Sequence, residues 1–365
     1  MSSRRNPPDF LLLGTIFTLL LIGVVMVYSA SAVVSDYRYG DSFYFAKRQL
    51  LFAILGVAAM FLTMNIEYWT WKRLANLLLL ACFGLLLIVL IPGVGLERGG
   101  ARSWIGVGAF SIQPSEFMKL AMITYMAKFL SERQEYVPTL SKGLFPALGI
   151  SGLAFALIMA QPDLGTGTVM MGTVIVLVFV AGARLSHLFG LALCGVAGFV
   201  GLVLSAPYRI NRITAFLDPW QDPLGSGYQL IQSLYAIGPG GLMGLGLGMS
   251  RQKFSYLPEP QTDFIFSILA EELGFIGGSF VLFLFAILAW RGMRAALMAP
   301  DLFGSLLALG IISLLMIQVV INIGVVTGLF PVTGITLPFL SYGGSSLTIV
   351  LTAMGILLNV SRHST

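Results

Sequence analysis

The side chain with the most chemical promise is Asp263, in YLPEPQTDFIFSILAEELGFIG at residues 256–277, where a polar segment punctuated by Pro258 and Pro260 runs into an apolar stretch. Proline fixes φ and lacks an N–H, so a helix is expected to begin after Pro260, with Thr262 as N-cap and Asp263 in the first turn. A helix N-terminus favours negative charge by about 0.3–1 kcal/mol, which keeps such a carboxylate ionised at the edge of an apolar span. Ionised, Asp263 can accept a proton or hold a divalent cation. It can equally be no more than a cap that complements the helix dipole, and this segment alone leaves both readings open. Glu271 and Glu272 follow about two turns deeper, and one of them is expected to face a polar interior.

Other ionisable residues also fall where charge is costly. Glu116 and Lys119 stand three apart in an apolar run, either as a structural ion pair or as the lining of a hydrophilic cavity. Asp163 sits in QPDLGTG at residues 161–167, a tight turn at a helix end that turn chemistry also explains. Lys47 and Arg48, in FAKRQ, stand at the mouth of an apolar run, and Arg98, Arg102 and Trp104 belong to a glycine-rich segment, residues 93–114, long enough to fold as a surface. Gln318 and Asn322, four apart, are expected to hydrogen-bond between helices, at about 0.6 kcal/mol each. His187 and His363 are too far apart in sequence to suggest a histidine metal site. The G-x-G spacings in GPGGLMGLGLGMS, residues 238–250, lack the preceding strand and following helix of a dinucleotide fingerprint, and no nucleic acid is expected as a partner. Backbone that packs closely or approaches a ligand is the better reading of those glycines.

The elements that must position these groups follow from composition. Of 365 residues 57% are hydrophobic and 10% charged, against about 25% charged in soluble domains. Apolar runs near 10–29, 49–65, 74–92, 115–130, 144–160, 167–182, 186–205, 263–290, 302–329 and 346–360 approach the roughly 20 residues that cross a bilayer. Backbone groups in lipid must be satisfied within each segment, and the runs lack strand alternation, so the fold class is all-α, a polytopic bundle of about ten transmembrane helices forming one domain over residues 1–365. One long outer segment, about residues 206–262, is aromatic enough to be ordered or to re-enter the membrane surface. PVTGITLPFLSYGGSS at residues 331–346 is apolar yet broken by proline and glycine, which suits backbone lining a cavity. The first run follows Arg4 and Arg5 and ends in small residues, but it is longer than the 7–15 residues typical of a signal peptide, so no cleavage is expected. Cys82 and Cys194 lie in apolar runs and imply no disulfide. With the N-terminus inside, eleven Lys and Arg fall on the inner side and nine on the outer, a weak bias. The outer cations point either to an anionic ligand or to contacts with membrane lipid headgroups.

LPEPQTDFIFSILAEELGFIGG and TGITLPFLSYGGSS, with QPSEFMKL at residues 113–120 and QPDLGT at 161–166, resemble the SEDS family (shape, elongation, division and sporulation) across nearly the whole chain. That resemblance implies a peptidoglycan glycosyltransferase of the cytoplasmic membrane that polymerises lipid II into glycan strands at the outer face, releasing undecaprenyl pyrophosphate. It implies Asp263 as the catalytic aspartate, and Arg48, Arg102, Glu116, Lys119 and Asp163 as polar positions of the substrate site. It also implies a class B penicillin-binding protein as transpeptidase partner, and leaves room for a divalent cation, Mg or Mn. Many relatives place arginine directly before the loop tryptophan, whereas here Ser103 precedes Trp104 and the arginine is Arg102. Thr336 in GITLPF resembles the division and sporulation branch, FtsW and SpoVE. A lipid II flippase and a noncatalytic scaffold for a transpeptidase are the competing readings.

Overall fold

Each of the ten apolar runs folds as a helix in the computed structural model, which describes residues 6–98, 101–107, 110–204, 207–254 and 256–363. Arg4 and Arg5, parts of the glycine-rich segment (99–100 and 108–109), and residues 205–206, where the seventh run meets the long outer segment, lie outside the described residues. The helices are α1 (Phe10–Tyr39), α2 (Tyr44–Asn65), α3 (Tyr68–Leu90), α4 (Pro114–Glu132), α5 (Phe145–Met159), α6 (Leu164–Val180), α7 (Leu185–Leu204), α8 (Pro207–Leu217), α9 (Tyr228–Ile237), α10 (Ile265–Leu297), α11 (Leu302–Val326) and α12 (Gly344–Ser361). Seven of them are long and apolar enough to cross a membrane, with α5 counted from Leu140. Of the other expected spans, α6 and α7 are shorter apolar helices, and α4 carries Glu116, Lys119, Lys128 and Glu132. The chain is a multi-pass, helical membrane protein.

Contacts at the helix ends define two faces. At one, Arg291 pairs with Asp9, the Tyr68 hydroxyl donates to Asp301, and the Tyr68 N–H donates to the Asn359 side chain. The other gathers Gln49 with Ser341, Gln113 with Asp163, and Asn322 with Asp263. Helices α11 and α12 run through the middle of the bundle, most of their surface covered by neighbours, whereas α7 packs mainly on α6 and α8.

Two outer segments fold further than an all-helical chain requires. Three strands, β1 (Leu96–Arg98), β2 (Ala101–Val107) and β3 (Phe110–Ile112), form an antiparallel sheet packed on α3 and α4. The long outer segment contains α8 and α9 and then descends beside α10, where the expected uninterrupted helix is broken. Gly274 has φ 65° and ψ −165°, so Phe275 and Ile276 cannot donate to Glu271 and Glu272 in the usual way. The glycine-rich segment completes the ladder. Leu245 and Gly246 donate to the carbonyls of Glu271 and Glu272 at 3.0 Å, while the N–H groups of Phe275 and Ile276 donate to Gly241 and Leu242 at 2.8 and 3.1 Å. Side chains at Gly240, Gly244 or Gly274 would collide with the opposing backbone, which is why glycine recurs here.

Glu271 and Glu272 are both buried, rather than one facing a polar space, and both are held by this segment. Ser250 Oγ and the Arg251 N–H donate to Glu271, at 2.5 and 2.9 Å. Ser29 of α1, at 2.7 Å, and the Lys253 ammonium, at 3.2 Å, donate to Glu272. Helix α10 also begins later than its sequence suggests, at Ile265, with Phe264 at the N-cap and no side-chain cap bond. The hydroxyl of Thr262, the expected cap, donates instead to the Glu259 carbonyl at 3.0 Å. Replacing Gly274 by Ala forces a positive φ and a backbone collision, and is expected to destabilise the protein by more than about 1–3 kcal/mol. Gly14→Ala, in α1 with nothing within 4 Å of the added methyl, is expected to be neutral or to stabilise by up to about 1 kcal/mol. Thermal unfolding of the two variants in detergent checks the contrast.

Candidate functional site

Asp263 lies in a short non-helical stretch whose carbonyls, in an apolar protein, need partners other than water. Three consecutive carbonyls find them. The Gln261 carbonyl accepts from the Tyr342 N–H at 2.8 Å, that of Thr262 from Ser341 Oγ at 2.6 Å, and that of Asp263 from Asn322 Nδ2 at 2.8 Å. Asn322 also donates to the Ile335 carbonyl at 2.7 Å, so one buried amide ties the Asp263 stretch to residues 331–343. Its partners are main-chain groups of irregular backbone, not the neighbouring helix expected from its spacing. The side-chain carbonyl of Gln318, the other member of that pair, is buried without a hydrogen-bond partner among the described residues.

The same ring extends to α2, where Gln49 Nε2 donates to the Ser341 carbonyl at 3.1 Å and Gln49 Oε1 accepts from the Gly343 N–H at 3.4 Å. The Leu337 N–H closes the loop on Ser341 Oγ at 2.8 Å. On this frame the half-buried Asp263 carboxylate lies over Gly334, at φ 75°, where an added methyl would stand 3.6 Å from Oδ2. Glycine keeps that space open. Thr333 and Ile335, on either side, press on Gly165 near the start of α6. Behind Val332 a cavity of about 230 Å³ opens between α8 and α9, with Asn211, Ser226 and Gln229 in its wall.

Asp163, two residues before Gly165, caps α6 by accepting from the Thr166 N–H at 3.1 Å. It also accepts from Gln113 Nε2 at 2.9 Å and Ser115 Oγ at 3.3 Å, at the start of α4. Loss of water raises its pKa above the usual carboxylate value; the Thr166 bonds oppose this, and beyond them the charge of Glu116 raises it while that of Lys119 lowers it. One turn into α4, Lys119 Nζ pairs with Glu116 Oε1 at 2.8 Å, the two side chains only 2% and 7% exposed. Glu116 Oε2 is buried with no hydrogen-bond partner among the described residues. Glu116, Lys119 and Asp163 thus form one group, joined through Gly165 to the segment that seats Asp263.

The two arginines sit further out. The Arg48 guanidinium lies 4.1 Å over the Tyr44 ring and adjoins the frame through its neighbour Gln49. Arg102, on β2, pairs with Glu97 at 3.0 Å at a position 40% exposed. Among the described residues no three His, Cys, Asp or Glu come together as a metal cage.

The residues that build the frame, Gln49, Ser341, Gln113 and Ser115, carry no charge, and their only sequence signal is an uncharged polar group beside or within an apolar run. The Lys119→Met variant leaves Glu116 buried without its partner and is expected to lose about 3–5 kcal/mol. Adding Glu116→Leu to it is expected to restore most of that loss, as read by thermal unfolding in detergent.

Comparison with known proteins agrees with this architecture. The family model for FtsW, RodA and SpoVE, described as cell cycle protein, matches residues 10–365. Stage V sporulation protein E of Bacillus subtilis is 68% identical over the whole of both chains. A probable peptidoglycan glycosyltransferase FtsW of Geobacter sp. (strain M18) is 47% identical over 97% of each. Among solved structures, a chain of a peptidoglycan synthase complex that coordinates polymerization and crosslinking superposes with a TM-score of 0.81 at 35% identity, covering 97% of this chain and 98% of that one. The Rod shape determining protein RodA of Thermus thermophilus superposes at 0.71 with 31% identity over 97% of each. Matched along nearly its full length in sequence and in fold, the chain belongs to the FtsW/RodA/SpoVE family of membrane proteins.

Proposed function

We propose that residues 1–365 act as a single membrane domain with ten crossings, Asp263 facing outward, and that this domain is a peptidoglycan glycosyltransferase polymerising lipid II. The observation that carries the reading is a half-exposed carboxylate whose own main chain and two preceding residues are fixed by Asn322, Ser341 and Tyr342. Catalysis by a general base needs a proton acceptor held in one place, and its help is typically worth about 100 to 10,000-fold. Asp263 takes the proton of the acceptor sugar's 4-hydroxyl as that oxygen bonds to the anomeric carbon of the donor strand. The bond from that carbon to the pyrophosphate oxygen breaks, and undecaprenyl pyrophosphate departs with the electron pair.

Arg48 and Arg102, on the same face, supply positive charge for the leaving pyrophosphate. Glu116, Lys119 and Asp163 form the buried polar wall behind the substrate. A divalent cation such as Mg or Mn would be held here by Asp263, with pyrophosphate oxygens and water to complete its shell. Bound in that way, it would supply charge neutralisation for the leaving group. The likeness to a chain within a peptidoglycan synthase complex supports a transpeptidase partner, which we assign to the class B penicillin-binding proteins.

Asp263→Ala and Asp263→Asn are expected to lower lipid II polymerisation at least about 100-fold, in purified protein supplemented with its transpeptidase and divalent ions, while the fold and melting temperature are kept. Strand synthesis by these variants at the wild-type rate would remove Asp263 from the role. Reconstituted vesicles separate this reading from a flippase, which would move labelled lipid without making strands. Asn322→Leu leaves the carbonyls of Asp263 and Ile335 without their donor and is expected to reduce turnover by up to about 100-fold through a displaced carboxylate, more in kcat than in KM.

A further inference from the structure

At the face opposite Asp263 a cavity of about 500 Å³ opens between the start of α1, the end of α10 and the end of α12. Its walls combine Pro7, Phe10 and Leu11 with Arg291, Arg294 and Met298. The pocket is built from tied parts. The Asn6 N–H donates to the Arg362 carbonyl at 3.1 Å and Arg362 Nε to the Asn6 carbonyl at 3.2 Å, which strap residues 6–9 against α12. Arg291 grips Asp9 through Nε at 2.7 Å and Nη2 at 2.5 Å, which straps the same residues to α10.

The charges do not balance. Asp9 is consumed by Arg291 and by capping the Leu12 N–H at 3.0 Å. Arg294 is exposed and has no carboxylate partner among the described residues, so the described lining, Asp9 with Arg291 and Arg294, carries one surplus positive charge. Its rim is apolar, with Phe10 70% exposed, Leu11 48% and Met298 39%. A guanidinium at the end of a membrane helix, beside apolar side chains that face outward at the same level, matches a ligand with one anionic group and a hydrocarbon tail. A zwitterionic headgroup fits less well, because its ammonium would meet Arg294.

We propose that this cavity binds the phosphodiester headgroup of an anionic phospholipid from the leaflet opposite Asp263, with Arg294 on the phosphate and an acyl chain along Phe10 and Leu11. A basic pocket between transmembrane helices is a physically suited receptor for such a headgroup. The site is separate from Asp263 and does not depend on the polymerase reading.

The test is native mass spectrometry of the full-length protein after incubation with equimolar phosphatidylglycerol and phosphatidylcholine. The wild type is expected to retain phosphatidylglycerol preferentially, and Arg294→Gln to lower that preference about fivefold. Met298→Glu, which puts a carboxylate at the rim, should lower it likewise. Lys142→Gln, which removes a cation at the same face whose ammonium lies 5.6 Å from the Tyr136 ring, should leave it unchanged. Equal losses for Arg294→Gln and Lys142→Gln would mean diffuse surface charge and overturn the site, as would no preference in the wild type. Displacement of the lipid by millimolar glycerol 3-phosphate would mean that the pocket takes a soluble phosphate, and would overturn the lipid assignment.

Discussion

Irregular backbone inside an apolar protein has no water to turn to, and the arrangement around Asp263 follows from that constraint. Residues 261–263 stay non-helical ahead of α10, so their carbonyls lack the partners that a helix would supply. Asn322, Ser341 and Tyr342 each satisfy one of them, and all come from elements remote in sequence. The carboxylate that these bonds position is therefore fixed by α11 and residues 331–343 rather than by its own helix. A polar group that lost its partner here would cost about 1–3 kcal/mol, so the frame is held together by the cost of breaking it.

The same constraint shapes α10 further down. A left-handed glycine interrupts the ladder at Gly274, and residues 241–246 replace both the missing donors and the missing acceptors. The repair brings Ser250, Arg251 and Lys253 against Glu271 and Glu272, and Ser29 of α1 joins them. Two buried carboxylates with one ammonium would be costly alone. Here every carboxylate oxygen has a hydrogen-bond donor, which makes the pair a clamp between the outer segment, α10 and α1.

Glu116 and Lys119 show how position decides between readings that residue type leaves open. Their three-residue spacing allowed a structural pair or a cavity lining. Their burial and the 2.8 Å contact make them a pair, yet one that adjoins Asp163 and, through Gly165, the seat of Asp263. What the structure shows is the ion pair, with both side chains buried. The glycines of residues 238–250 are a similar case. Their spacing resembles a nucleotide loop, but in the structure they admit one main chain against another.

Sequence alone determined the helices and the chemistry on offer. Apolar runs of membrane length can satisfy their backbones only as helices, and a carboxylate after PEPQT stands out in such a chain because charge there is expensive. It did not determine where α10 starts or breaks, that β1, β2 and β3 form a sheet, that Glu271 and Glu272 are both held by one segment, or that Asn322 serves main chain instead of a helix. Those outcomes belong to the tertiary structure for one physical reason. Helix formation depends on neighbours along the chain, whereas the partner of an orphaned carbonyl depends on what packs beside it, and Asn322 and Ser341 meet Asp263's stretch, with Gln49 behind Ser341, only once the bundle has closed.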